Sequence, residues 1–169
     1  MMALAPLEKD RLDDYVSMME DVYRFVMDSM DAYSAPHDYG TGDILNMVEV
    51  HTLSAIADAP GLCVTDVAKM WNRTLGAASR NVNRLCAKGL VKKEKLPGND
   101  KTVHIYPTEQ GARLARLHRE FDRTQIAKVM EFLLSRHTEE EFRQFHSVVR
   151  SCAEMYEGKR LGGAFSSEG

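Results

Sequence analysis

Residues 67–91, VAKMWNRTLGAASRNVNRLCAKGLV, carry two helical segments joined by a tight turn. Thr65, just upstream, is placed to cap a short helix over 66–71. Thr74 is placed to cap a second, which runs to Lys88 and stops at Gly89. In that second segment Ala78, Val82 and Leu85 recur at helical spacing and form an inward stripe. The outward face then shows Gly76, Ala77, Arg80, Asn81, Asn83 and Arg84: small residues at the tip, then amides and arginines. Such a face suits a helix entering the DNA major groove, where Arg can fork onto guanine and Asn onto adenine. It could equally be plain solvated surface, so its neighbours must decide. Residues 90–96 have strand character at their ends, Pro97-Gly98-Asn99-Asp100 is a strong turn, and 102–106 are β-rich. Two short helices followed at once by a basic hairpin predict a winged helix-turn-helix.

Charge is distributed in the same sense. The 169-residue chain carries a net charge of only −3. Residues 1–58, however, hold three Lys/Arg against twelve Asp/Glu, and residues 69–104 hold nine against two. A basic block within an acidic chain is a local footprint for a polyanion. With 44% apolar and 28% charged residues, the composition excludes a disordered chain. The apolar runs are too short to span a membrane, and the N-terminus turns acidic before a signal-peptide core forms. Cys63, Cys86 and Cys152 are odd in number and scattered, unlike a disulfide framework or a zinc ribbon. The expected compartment is the cytoplasm.

Outward from the deciding stretch, the rest reads as helix. Pro6 precedes a helix over 7–33 whose apolar residues Leu12, Val16, Met19, Tyr23, Val26, Met30 and Tyr33 alternate four and three apart. A second stripe, Tyr15, Met18, Val22 and Phe25, makes this helix apolar over more than half its girth. One small domain cannot easily cover that surface, so burial between two chains is expected. Residues 34–43 read as a loop and 44–57 as a second helix closed by Ala59-Pro60-Gly61. Thr108 caps a long helix to about 134, and Thr138 with Glu141 forms a capping box for the last one. That helix carries Phe142, Phe145, Val149, Cys152 and Tyr156. The fold class expected is mostly α with a small β-hairpin wing, a winged helix-turn-helix embedded in a helical dimerisation domain. Residues 1–38 and 108–157 form the dimerisation region, 43–107 the DNA-binding region and 158–169 a flexible tail.

Val67-Ala68, Ser79-Arg80, Val82, Leu85 and Gly89-Leu90-Val91, followed by Asp100-Lys101 and Thr108-Glu109-Gln110-Gly111, resemble the MarR family of winged helix-turn-helix transcriptional regulators. The resemblance runs without a gap from 67 to 91. It implies a homodimer in which the first and last two helices interleave with the partner's, acting as a repressor on a pseudo-palindromic operator. By that correspondence the DNA contacts fall on Arg73, Thr74, Gly76, Ala77, Arg80, Asn81, Asn83, Arg84, Lys95, Asn99 and Lys101. The family's wing ends in Asp-Arg. Here Lys101 takes the Arg position, and without the planar fork its minor-groove contact is expected to be weaker. Pro107, replacing an apolar residue before Thr108, is expected only to end the strand.

Family members respond to a small molecule, a metal or an oxidant, and the sequence offers a candidate for each. His118 and Asp122 lie four apart on one helix face, a spacing that lets both hold one metal. The zinc-responsive branch of the family is similar in placing a His in the second helix and two further ligands four apart in the fifth, which corresponds to His51, His118 and Asp122. Asp28 or Asp31 in the first helix could complete the set. The alternative is that His118 and Asp122 make ordinary hydrogen bonds and an ion pair. No cofactor is required in either case; a divalent metal, zinc, would be an effector. Met30, Met47, Met70 and Trp71 could line a crevice for a phenolic or other aromatic ligand, although Met at helical spacing more often builds core. Cys86 alone has cationic neighbours, Arg84 and Lys88, while Cys63 and Cys152 read as buried. No G-x-S-x-G, P-loop, G-x-G-x-x-G or H-E-x-x-H motif supports an enzyme. A helical interaction module without DNA binding would explain the apolar helices but not the basic block.

Overall fold

The computed structural model describes residues 8–96 and 99–162, of which the side chains of 9–10, 32–33, 96, 99–101 and 156–162 are not described. The elements, in order, are α1 (Lys9–Ser34), β1 (His37–Asp38), β2 (Ile44–Leu45), α2 (Met47–Asp58), β3 (Leu62–Cys63) and α3 (Val64–Met70). They continue with α4 (Leu75–Ala87), β4 (Val91–Leu96), β5 (Asn99–Pro107), α5 (Glu109–Leu134) and α6 (Glu139–Gly162). Two compact units divide the chain, residues 1–120 and 121–169, with the boundary inside α5.

In the first unit the caps set the elements. Asn46 accepts the Glu49 amide at 3.0 Å while Glu49 takes the Asn46 amide in return, so α2 starts at Met47 rather than at Ile44. Ile44 and Leu45 instead pair antiparallel with Asp38 and His37, within a stretch expected to be loop. Asp66 accepts the Cys63 amide at 2.8 Å, so Cys63 rather than Thr65 is the N-cap and α3 starts at Val64, two residues before the expected Asp66. Thr74 accepts the Ala77 amide at 3.2 Å and opens α4, as its sequence predicts. Gly89, at φ +71, then turns the chain where a side chain would be strained, and the Leu90 amide closes back onto the Leu85 carbonyl at 3.0 Å.

The sheet order is β3-β5-β4, all antiparallel. The β4–β5 hairpin is the wing; residues 97–98 of its turn lie outside the described residues. Pro107 ends β5, as expected. Leu53, Ile56, Val82, Leu85, Leu90, Ile105 and Leu114 are wholly buried in one core that joins α2, α4, the sheet and the start of α5. Thr108 fastens this junction, donating to the Gly89 carbonyl at 2.7 Å and accepting the Gly111 amide at 3.1 Å.

The second unit holds the end of α5 and α6. The expected capping box is present: Thr138 Oγ1 accepts the Glu141 amide at 3.2 Å, and a Glu141 carboxylate oxygen accepts the Thr138 amide at 2.8 Å. The Thr138 amide, and the Thr138 hydroxyl that donates to the same carboxylate oxygen at 2.9 Å, hold the Glu141 carboxyl below its ordinary pKa. One boundary is corrected here. The tail expected from residue 158 is helical as far as Gly162, because Glu157, Lys159, Arg160 and Leu161 favour helix and outweigh Gly158 between them. Residues 163–169 lie outside the described residues.

Candidate nucleic-acid interface and effector sites

Helix α4 presents its polar face outward. Ala78, Val82 and Leu85 are buried, as the stripe predicts, while Arg73, Thr74, Gly76, Arg80, Asn83 and Arg84 are exposed and Ala77 is half-buried. Among the described residues Arg80 forms no ion pair, and its Nη1 lies over Gly76, where an added Cβ would sit 3.6 Å from it. The wing is tied to this face: Lys93 Nζ, on β4, donates to Asn83 Oδ1 at 2.6 Å. Lys95 is exposed on the same strand. The side chains of Asn99 and Lys101 lie outside the described residues.

Asn81 is a correction. Expected on the outward face, it is 3% exposed and faces α2, where its Nδ2 donates to Thr52 Oγ1 at 2.7 Å and to the Val48 carbonyl at 3.4 Å. The signal was present. Positions 78, 81, 82 and 85 share one side of an α-helix, so Asn81 belongs to the apolar stripe rather than opposite it. A polar group there needs a buried partner, and Thr52 supplies one.

Sequence reasoning also passed over the role of Glu49. It is 4% exposed, and its two carboxylate oxygens accept from Arg84 Nε at 2.7 Å and from Lys88 Nζ at 3.1 Å. Lys88 Nζ further donates to the Ile44 carbonyl at 2.6 Å. Burial alone would raise the Glu49 pKa; the hydrogen bonds from Arg84, Lys88 and the Asn46 amide outweigh it and hold the carboxyl below its ordinary value. No single stretch of sequence reveals this triad, since its members are brought together across 35 and 39 residues.

A cavity of about 490 Å³ opens beside α4, lined by Met30, Met47, Val48, Val67, Trp71 and Ala78, with Arg73, Asn81 and Arg84 at its polar wall. Met30, Met47 and Trp71 of the expected crevice are therefore there. Met70 is not among the lining residues and is 48% exposed, because successive helical residues point about 100° apart and Trp71 already faces in. Among the described residues, Trp71 Nε1 and Asn81 Oδ1, both buried, have no hydrogen-bond partner. Such atoms cost free energy unless something fills the site.

His51 and His118 meet on the far side of α2. His51 Nδ1 lies 3.5 Å from His118 Nε2, the rings are edge-to-face at 4.8 Å, and His118 is 2% exposed. With metal–nitrogen bonds of about 2.0–2.1 Å, two nitrogens on one tetrahedral ion stand roughly 3.3–3.4 Å apart, so this pair is close to ligating geometry. Asp122 follows His118 by one turn of α5, and the three make up a group of potential ligands. The expected burial of the other cysteines is corrected: Cys152 is exposed on α6, and Cys63 is half-buried with its Sγ 3.7 Å from His104 Nδ1. Cys86 is half-buried against the core, since it follows Leu85 into the packed side of α4.

Comparison with known proteins agrees with this geometry. Residues 45–101 match the sequence profile described as the MarR family. An uncharacterized HTH-type transcriptional regulator of Bacillus subtilis (strain 168), YhjH, is 31% identical over 104 residues; the match covers 62% of this chain and 59% of that protein, short of its full length. Streptococcus pneumoniae FabT, solved in complex with DNA, superposes with a TM-score of 0.59 at 21% identity, over 89% of this chain and 99% of that one. Lactococcus lactis ZitR, described as a zinc-responsive MarR family member, superposes with a TM-score of 0.62 at 14% identity, over 82% and 99%. At these identities the solved structures speak for the fold. Among the described residues no helix is long and apolar enough to cross a membrane. Profile and fold agree: residues 45–101 are similar to the MarR family, and the chain has the winged helix-turn-helix architecture of the solved MarR-family structures.

Proposed function

We propose that the chain is a cytoplasmic homodimeric transcriptional repressor that binds a pseudo-palindromic operator through α4 and the wing. The observation that carries this reading is the exposed face of α4, with Arg80, Asn83 and Arg84, joined by the Lys93–Asn83 hydrogen bond to a basic hairpin. Arginine matches the guanine edge in the major groove, and the wing lysines match phosphate. The apolar residues of α1 and α6, exposed in the single chain, supply the surface for a second copy. Residues 1–38 and 108–157 would serve that dimer and 43–107 the DNA.

The effector reading that the geometry favours is a divalent metal, zinc, held by His51, His118 and Asp122. The donors suit zinc, and the two imidazole nitrogens already stand near ligating distance. A metal there would tie α2 to α5, and α2 holds α4 through Thr52–Asn81 and Glu49–Arg84. Zinc would change DNA affinity to the extent that it binds the DNA-competent shape better, about 1.4 kcal/mol for each tenfold effect. A second reading has its own observation: the unpaired Trp71 Nε1 and Asn81 Oδ1 at the cavity favour a small apolar ligand bearing both a hydrogen-bond donor and an acceptor.

One experiment tests both levels. Duplexes selected from a random pool by the purified protein, then titrated with and without zinc for wild type and His118→Ala, should yield a palindromic consensus. Zinc should shift the wild-type affinity and leave the variant unmoved. Failure to enrich any sequence would refute the operator reading. Equal responses to zinc in the two proteins would refute the metal and leave the cavity ligand.

A further inference from the structure

We propose that Glu49 is a positioning residue for DNA recognition: from α2 it grips Arg84 by Nε and so aims the guanidinium's terminal fork at the base edges. The proposal rests on the reading of α4 as the recognition helix and adds to it a residue that touches no DNA. Three observations carry it. Glu49 is 4% exposed, fixed in place as the N3 member of the α2 capping box, and therefore has little freedom of its own. Its Oε1 takes the Arg84 Nε–H at 2.7 Å, whereas the Arg84 side chain is 53% exposed, so the bonded edge of the guanidinium faces α2 and the remainder faces solvent. Its Oε2 is engaged by Lys88, one turn on from Arg84, which is itself anchored to the Ile44 carbonyl.

An unanchored arginine samples many rotamers and loses that freedom on binding. Gripped at Nε, it keeps Nη1 and Nη2 for a bidentate contact, and the ordering cost is met before DNA arrives. Capping alone does not explain the arrangement, because the box closes between Glu49 and Asn46 without Arg84. Lysine at 84 could not reproduce it. Its single ammonium either meets Glu49 or meets the base, not both with a planar fork.

The test compares wild type, Glu49→Gln, Arg84→Lys, Arg84→Ala and the Glu49→Gln/Arg84→Ala double variant on the selected operator and on random duplex. Thermal denaturation checks that each is folded. Glu49→Gln and Arg84→Lys should each lose about tenfold on the operator, within the range of one bidentate base contact, with much less change on random duplex and an unaltered salt slope. In the Arg84→Ala background, Glu49→Gln should have no further effect on operator affinity. A Glu49→Gln loss that is equal on random duplex, or that persists without Arg84, would assign Glu49 a purely structural role and overturn the proposal. Unchanged operator affinity in folded Arg84→Lys would overturn it as well, without reference to Glu49. Wild-type protein that selects no DNA would fail the underlying reading instead, and that outcome is distinct from all of these.

Discussion

At the scale of the residue, the exposed polar side chains of α4 divide by what holds them. Arg84 is held by a buried carboxylate, Asn83 by the wing's Lys93, and Arg80 by no ion pair among the described residues. Arg80 is accordingly the freest candidate for base readout, and Lys95 a candidate for phosphate. Arg80→Ala should cost about 1–3 kcal/mol on the operator and relax one position of the consensus, whereas Lys95→Ala should weaken all sequences alike and lower the salt slope by about one. Binding isotherms on operator and random duplex at several salt concentrations check both. An Arg80→Ala protein with unchanged preference would remove α4 from the role of reader.

At the scale of the element, two junctions fix how α4 is presented. Helix α5 crosses the α4–β4 turn at backbone contact: a Cβ on Gly111 would come within 1.9 Å of the Leu90 carbonyl oxygen. Gly111→Ala must therefore push α5 off the turn that ends α4. It should destabilise the protein by about 2–3 kcal/mol in chemical denaturation, whereas Ala at an exposed helical glycine such as Gly76 should leave stability unchanged or raise it by under about 1 kcal/mol. The second junction is the Glu49 triad, and its pH dependence has a definite sign. The folded-state pKa of Glu49 lies below its unfolded value, so its contribution is fully present above about 4.5 and is lost as pH falls through the depressed folded value. Denaturation midpoints should fall in that acid window for wild type, and less steeply for Glu49→Gln. Identical pH profiles would mean that the carboxylate is not stabilised on folding.

At the scale of the whole molecule, the exposed apolar surface needs an owner. On α1, Leu12, Val16, Met19, Tyr23, Val26 and Met30 are all between 42% and 64% exposed in the single chain, and so are Phe145 and Val149 on α6, at 53% and 47%. No described side chain of residues 121–155 is fully buried. A lone chain would carry an apolar surface far larger than monomers tolerate. Sedimentation at micromolar concentration should give twice 19.1 kDa. Replacing Val16 and Tyr23 by Glu should yield a monomer of low stability that no longer binds an operator with two half-sites about one turn, ~10 bp, apart. A stable wild-type monomer at that concentration would exclude the homodimer.

The sequence by itself determined whatever depends on neighbours in the chain. Thr74 and Gly89 bounded α4, and Thr108 and the Thr138–Glu141 box opened the last two helices. The block of positive charge and the 67–91 pattern were enough for the winged helix-turn-helix, since caps, periodicity and turns are local physics. The i, i+4 pair His118 and Asp122 was legible for the same reason, because helical pitch alone puts them on one face. Tertiary structure decided the rest. It turned Asn81 inward, because a hydroxyl 29 residues away in sequence could satisfy a buried amide. It set His51 3.5 Å from His118 across 67 residues. It also made Glu49 an anchor for two cations on another helix, because a carboxylate can stay charged in a core only where packing delivers it partners. Packing distances are not written in spacing, and that is where sequence reading ended.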